Sequence, residues 1–137
     1  MSPANVNPMD ELIAAARAAR AHAYAPYSRY AVGAAVRGAN GRIYTGANVE
    51  NASYGLALCA ERNAVMAAVL DGAAPLAGVA VVTETSPPAA PCGMCRQTLA
   101  EFAPDSLPIA LANTQGEHSE TTLGDILPHA FRRGDLP

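Results

Sequence analysis

The chain of 137 residues is long enough for one domain of ordinary size and too short for two. Half of it is hydrophobic, yet with 31 alanines, two phenylalanines and no tryptophan the predicted core consists of small side chains. Nine arginines, no lysine and twelve acidic residues give a net charge of −3, which argues against a nucleic-acid-binding protein. Because we find no apolar run of membrane-spanning length and no signal-peptide core, we expect a soluble cytoplasmic protein without membrane contact.

Helix and strand patterns alternate along the first half of the chain. Apolar residues at helical spacing predict a helix that is capped by Asn7 and ended by Pro26. Alternation over residues 30–36 predicts a strand, and the hairpin signal Asn40-Gly41 leads to a second strand at Ile43 and Tyr44.

The second half continues this pattern after a polar loop at residues 48–53. We predict helices over 57–70, 93–102 and 121–127, and buried strands over 76–83 and 107–112. The turn Gln115-Gly116 leads to a fifth strand, a proline-rich loop covers 86–91, and Pro128 begins a tail. The resulting order, α-β-β-α-β-α-β-β-α, predicts an α/β fold with helices on both faces of a mixed five-stranded sheet.

Three cysteines carry the strongest chemical signal. An odd count argues against a disulfide framework and leaves buried thiols, a redox pair or metal ligation. The CxxC pair Cys92-Gly-Met-Cys95 lies too late in the chain for a thioredoxin-like motif, and Cys59 stands near another predicted helix start. Three ligands with an open fourth position are typical of catalytic zinc. The histidines have no ligand spacing to these cysteines and are expected to be ordinary side chains: His22, His118 and His129.

Glu61 stands two residues after Cys59, where the first turn of a helix could direct it toward a metal-bound water. Alone, a glutamate at a helix start would be read as satisfying the helix dipole. Beside Cys59 and a Pro-Cys-x-x-Cys motif, we favour a proton shuttle, because this is the pattern of zinc deaminases.

At these residues the sequence resembles the cytidine deaminases of the small homotetrameric type. The similarity extends over nearly the whole chain, on Ala25-Pro-Tyr-Ser28, Val32-Gly-Ala-Ala35, Gly46-Ala-Asn-Val-Glu-Asn-Ala-Ser-Tyr54, Cys59-Ala-Glu-Arg62, Pro91-Cys-Gly-Met-Cys-Arg-Gln97 and Leu127-Pro128 before Phe131. The resemblance implies a single domain over residues 1–137 with a three-layer α-β-α sandwich. It also implies one zinc ion per subunit, a free nucleoside substrate and a homotetramer.

The resemblance further implies roles for the residues nearest the reaction. The zinc ligands fall on Cys59, Cys92 and Cys95, and the catalytic glutamate falls on Glu61. Arg62 would withdraw charge from the three thiolates by hydrogen bonding, although an exposed arginine is the plain alternative.

The substrate-binding positions fall on six residues: Tyr30, Asn48, Glu50, Tyr54, Ala60 and Phe131. Asn48 and Glu50 would hold the ribose, although a loop pair that caps a turn is the alternative. Tyr30 replaces the phenylalanine that usually stacks on the base, and a strand residue facing the core is its alternative. Tyr54 and Phe131 would approach a neighbouring subunit's site, or serve only in packing.

These implications lead to one functional hypothesis: hydrolytic deamination of cytidine and 2′-deoxycytidine to uridine and 2′-deoxyuridine, with release of ammonia, in pyrimidine salvage. Glu61 would relay a proton from water to N3 and then protonate the leaving amino group. The alternatives are a deaminase of another cytosine nucleoside, of the blasticidin-S type, and a structural zinc-binding module. A polynucleotide deaminase should be basic, and this chain is acidic.

Overall fold

The computed structural model describes residues 7–137. Helix α1 (Pro8–Arg20) begins as the sequence predicts: the Asn7 side chain accepts a hydrogen bond of 3.0 Å from the Met9 amide. The predicted extension toward Pro26 is wrong, because Tyr24 leaves the helix. Its amide donates to the Asn48 carbonyl at 2.9 Å, which is a tertiary contact that local periodicity does not report.

Five strands form one sheet in the order β2-β1-β3-β4-β5. They are β1 (Gly33–Arg37), β2 (Ile43–Ala47), β3 (Gly78–Thr83), β4 (Pro108–Asn113) and β5 (His118–Thr122), and the helices after α1 are α2 (Ala60–Leu70), α3 (Gly93–Phe102) and α4 (Leu123–Ile126). Strands β3 and β4 pair in parallel and the other neighbours pair antiparallel, which confirms the predicted mixed sheet and element order.

The sheet has helices on both faces because successive strand residues point to opposite sides. In β3, Val79 and Val81 belong to the core beneath α2 and α3, whereas Ala80 and Val82 belong to the core beneath α1. The α1 side of the central strands contains several alanines, so this helix lies close to the sheet. The predicted three-layer α-β-α architecture is thereby confirmed.

Two glycines allow the helices to approach the strands. A Cβ atom on Gly33 would lie 2.0 Å from the Ala16 carbonyl oxygen in α1. A Cβ atom on Gly46 would lie 2.5 Å from the Ala60 carbonyl oxygen in α2. Each helix therefore contacts the sheet backbone at a point where no side chain fits.

Three predicted boundaries differ from those in the structure. Helix α2 begins at Ala60 rather than 57, because Leu58 exchanges backbone hydrogen bonds of 2.9 and 3.0 Å with Val49. Strand β1 begins at Gly33 rather than 30. Helix α4 is shorter than predicted, because residues 121 and 122 belong to β5.

The predicted tail packs on helix α3 from Phe131 onward. The Phe131 carbonyl accepts a hydrogen bond of 2.8 Å from Gln97 Nε2. Arg132 donates to the Ala100 and Ala103 carbonyls at 2.6 and 3.0 Å, near the end of α3. Within residues 7–137, the helices are all too short or too polar to span a membrane.

Candidate active site

Three thiols converge where helices α2 and α3 begin. Cys59 precedes the first residue of α2, Cys92 precedes that of α3, and Cys95 lies in the first turn of α3. Their sulfur atoms lie 3.9 Å apart for Cys59 and Cys92, 3.4 Å for Cys92 and Cys95, and all within 4.8 Å. Tetrahedral zinc with Zn–S bonds near 2.3 Å spaces its sulfur ligands by about 3.8 Å. The donor set therefore fits one zinc ion.

Electrostatics at the thiols favours a cation among them. The pKa of Cys59 is lowered to about 5, by the neighbouring Cys95 thiol and by Arg62. The pKa of Cys95 is raised, because this thiol donates toward Cys59 and is buried beside Glu61. Cys59 and Cys95 therefore do not ionise together without compensation, and a divalent cation held by the cluster would supply it.

Arg62 lies beside this cluster, as the resemblance implies. Its Nη2 atom lies 3.7 Å from Cys59 Sγ and donates to the Ala57 carbonyl at 3.1 Å. The pKa of Arg62 is raised, chiefly through the hydrogen bond to Cys59, so the guanidinium keeps its charge near the thiolates.

Glu61 is buried in the first turn of α2 with only 5% of its surface exposed. Burial raises the pKa of its carboxyl, and the nearby Cys59 thiolate raises it further. A carboxyl group with a raised pKa holds a proton more readily than an ordinary glutamate, which suits a group that must both accept and return one.

A cavity of about 330 Å³ opens in front of Glu61 and two of the thiols. Of the predicted substrate-binding residues, it brings together Tyr30, Asn48, Glu50 and Ala60. The wall also includes residues that our sequence reasoning gave no role: Ser28, Val32, Ala57, Leu58, Val81, Thr83 and Ala89. Thr83 could have been suspected, since it ends a central strand, where α/β sheets commonly bind ligands.

Asn48 and Glu50 bond to backbone that lies at least 16 positions earlier in the chain, rather than capping the following turn as the alternative interpretation had it, and both line the cavity. The Asn48 amide accepts from the Val32 N–H and donates to the Tyr30 carbonyl, both at 2.8 Å. Glu50 accepts from the amides of Tyr27 and Ser28 at 2.9 and 3.1 Å, and from the Ser28 hydroxyl. The Ser28 hydroxyl contributes most to a lowered pKa of Glu50. Each group keeps further hydrogen-bonding capacity for a ligand.

Tyr30 is half-buried in the cavity wall. Its hydroxyl donates to Thr85 Oγ1 over 3.5 Å, and Thr85 Oγ1 lies 3.0 Å from Thr83 Oγ1. The phenolic oxygen thus has a polar neighbour, although at the limit of hydrogen-bond distance.

Tyr54 and Phe131 lie outside the cavity. Tyr54 is 77% exposed and lines an adjoining depression with Tyr27, whose ring centroid lies 5.9 Å away. Phe131 is 57% exposed and projects from the segment that packs on α3. Tyr54 shares this depression with Glu50, whereas Phe131 lines a separate depression beside α3 with no other predicted site residue.

Converging thiols, a buried glutamate and an adjacent cavity are the arrangement of zinc-dependent deaminases. A family model described as the cytidine and deoxycytidylate deaminase zinc-binding region matches residues 7–111. The chain belongs to this family. Together with the thiol cluster, the match confirms zinc as the predicted cofactor.

Individual relatives and solved structures agree with this assignment. The cytidine deaminase of Sporosarcina psychrophila is 46% identical over 128 residues, covering 93% of this chain and 94% of that protein. The crystal structure of the Burkholderia pseudomallei cytidine deaminase has a TM-score of 0.85 and 51% identity, covering 89% of this chain and 98% of its own. The crystal structure of the Mycobacterium tuberculosis cytidine deaminase has a TM-score of 0.80 and 43% identity, covering 92% of this chain and 98% of its own. These findings do not favour a blasticidin-S-type deaminase or a structural zinc module.

Proposed function

We propose that this protein deaminates cytidine and 2′-deoxycytidine hydrolytically to uridine and 2′-deoxyuridine, with release of ammonia. The proposed role of this reaction is pyrimidine salvage. The observation that carries the proposal is the buried Glu61 carboxyl between a three-thiol cluster and a cavity large enough for part of a nucleoside. The deaminases that this chain resembles are named for the same reaction.

Glu61 is the proposed proton carrier of the reaction. Zinc held by Cys59, Cys92 and Cys95 supplies an acidified water molecule when it is bound. Glu61 would accept a proton from this water and transfer it to N3 of the cytosine ring, so that the remaining hydroxide adds to C4. Glu61 would then take the proton of the new C4 hydroxyl and donate it to the amino group, which leaves as ammonia while the C4 carbonyl forms, so the same carboxyl serves as base and as acid. Its raised pKa suits both steps.

Asn48 and Glu50 are the proposed ribose ligands, and the Tyr30 ring is the proposed stacking surface for the base. The lowered pKa of Glu50 keeps its carboxylate ionised, which makes it a strong acceptor for sugar hydroxyls. Ala60 lies between Cys59 and Glu61 in the cavity wall, and we propose that it contacts the base beside the zinc. Arg62 is proposed to withdraw charge from Cys59.

The active form is proposed to be a cytoplasmic homotetramer of single-domain subunits that extend over residues 1–137. Large exposed apolar side chains support subunit contact: Tyr54, Leu56, Met66, Leu70, which is 92% exposed, and Phe131. We propose that Tyr54 and Phe131 complete the site of a neighbouring subunit. A reducing compartment is consistent with three thiols that must stay unpaired to bind a metal.

An absorbance assay tests the reaction. Cytidine should be converted to uridine, a strong chelator should abolish the conversion, and added zinc should restore it. The free base cytosine is the matched control for the ribose contacts and should be a very poor substrate, because binding energy from the sugar orients the ring. Equal kcat/KM for cytosine and cytidine would refute the roles of Asn48 and Glu50.

Mixed tetramers test the shared sites. Phe131→Ala and Glu61→Gln should each give a poor enzyme, and subunit exchange between them should restore part of the activity. Recovery requires sites that combine an intact Glu61 from one chain with an intact Phe131 from another. Full activity in a species that sediments as a monomer would contradict this assembly.

A further inference from the structure

Arg96 follows Cys95 directly, and the proposed mechanism gives it no task. Its Nε atom donates to the Pro91 carbonyl at 2.7 Å, and its Nη1 atom donates to the Ile126 carbonyl at 2.7 Å. Both distances are those of charge-assisted hydrogen bonds, which are stronger than neutral ones. We propose that Arg96 is a positioning residue that fixes the Cys92 thiol for zinc. The inference rests on the proposed zinc site.

The chain enters Cys92 from a loop rather than from a helix or strand. Residues 86–91 form a proline-rich loop without regular structure, and among the described residues Cys92 has no side-chain hydrogen bond that caps α3. Cys92 is exposed, whereas Cys95 is buried within α3. The Cys92 carbonyl accepts from the Arg96 amide at 3.0 Å, so helix α3 holds the following side of Cys92, and its preceding side depends on the loop backbone.

The bond from Arg96 to Pro91 restricts rotation about ψ of Pro91, which orients the peptide that leads into Cys92. The proline ring fixes φ of Pro91, so the orientation of the Pro91–Cys92 peptide is set by ψ of Pro91 alone. Because this peptide is planar, holding its oxygen also holds the Cys92 amide nitrogen and Cα. Arg96 holds that oxygen from within α3, the helix that carries Cys95. The spacing between the two thiols is therefore set within one short segment.

The bond from Arg96 to Ile126 keeps the guanidinium in place. Ile126 is the last residue of α4, where helix carbonyls lack partners within the helix. The planar guanidinium group binds the Pro91 carbonyl through Nε and the Ile126 carbonyl through Nη1. A lysine offers one ammonium at the end of a flexible stem and can replace only one of these contacts well.

The experiment measures zinc release from the fully loaded protein to a chromogenic chelator, at a temperature where circular dichroism shows the fold intact. We expect Arg96→Met to release zinc about 10–100 times faster than the wild type, which is the usual effect of losing a group that orients a metal ligand. Arg96→Lys should release zinc at a rate between those of the wild type and Arg96→Met. Arg42→Met is the matched control, since the Arg42 side chain is 75% exposed, and it should release zinc at the wild-type rate.

Each outcome decides the proposal. An arginine with a purely structural role would lower the unfolding temperature and leave zinc release from the folded protein unchanged, so wild-type release from Arg96→Met would overturn the inference. If Arg96→Met does not fold, zinc release from Arg96→Lys is compared with that of the wild type instead, and equal rates would overturn the inference. A wild-type protein that binds no zinc would instead refute the proposed metal site itself, and this inference with it.

Discussion

Gly46 lies beneath the first turn of α2, the helix that carries Glu61 and follows Cys59. An added Cβ atom would meet the Ala60 carbonyl oxygen at 2.5 Å and the Ala64 amide nitrogen at 2.6 Å. These two atoms belong to one turn of the helix, so no side chain can swing away to make room. Gly46→Ala must therefore displace α2 from the sheet.

The size of the displacement follows from these distances. Ordinary Cβ contacts begin near 3.4 Å, so the start of α2 must move by about 0.9 Å from its present 2.5 Å approach. Metal sites tolerate ligand distances within about 0.2 Å, and a shift of about 1 Å in a catalytic group costs about 10²-fold in rate. We expect Gly46→Ala to lose about 10²-fold in kcat/KM and to bind zinc less tightly. Overpacking should also cost about 1–3 kcal/mol of stability.

Gly33→Ala provides a matched control on the opposite face of the sheet. Its Cβ atom would lie 2.0 Å from the Ala16 carbonyl oxygen, so α1 must move even farther than α2. Helix α1 contains no cysteine, so the variant should lose stability but retain zinc. Thermal unfolding, zinc content and kcat/KM of the folded proteins are measured together. The reasoning is refuted if Gly46→Ala keeps wild-type zinc affinity and turnover, or if Gly33→Ala loses zinc equally.

Three further variants test individual side chains of the site. Glu61→Gln should keep zinc while kcat falls by at least about 10²–10⁴-fold, since an amide cannot carry protons; a variant without zinc contradicts the role. Ser28→Ala removes the largest cause of the lowered pKa of Glu50, so this pKa rises toward 4.5. As the pH is lowered, Glu50 should then become protonated at a higher pH in the variant than in the wild type, and KM should begin to rise at that higher pH. An unchanged dependence of KM on pH argues against Glu50 as a ribose ligand. Tyr30→Phe removes only a 3.5 Å contact with Thr85, so kcat/KM should change by less than about ten-fold; a larger change would show that the hydroxyl acts in the reaction.

The place of each thiol at a helix start was predictable because it depends on local signals. Cys59 and Cys92 each precede a helix, and the CxxC spacing places Cys95 one turn after Cys92. The strands were predictable for a related reason, since alternating and β-branched residues mark the central ones. The meeting of Cys59 with Cys92, 33 positions later in the chain, is a contact between distant segments, and it was implied by the count of three ligands and by the resemblance rather than by local signals.

The cavity rim was not predictable, because it consists of such distant contacts. Val49 pairs with both Tyr24 and Leu58, which shortens the first helix and delays the second. Glu50 is held by the backbone of residues 27 and 28, which lie 23 and 22 positions earlier in the chain. Helical periodicity reports neighbours three or four residues apart and carries no information about these pairs.

Because every cysteine lies at one site, thiol labelling of this protein reports metal occupancy directly. The sequence contains three cysteines, and all three thiols lie within the same cluster. A thiol-specific dye therefore has no background sites to label, and its uptake measures how many sites lack metal. Exposed Cys92 should react before buried Cys95, so the order of labelling follows the opening of the site. Metal occupancy can thus be followed in each purified variant without any assay of turnover.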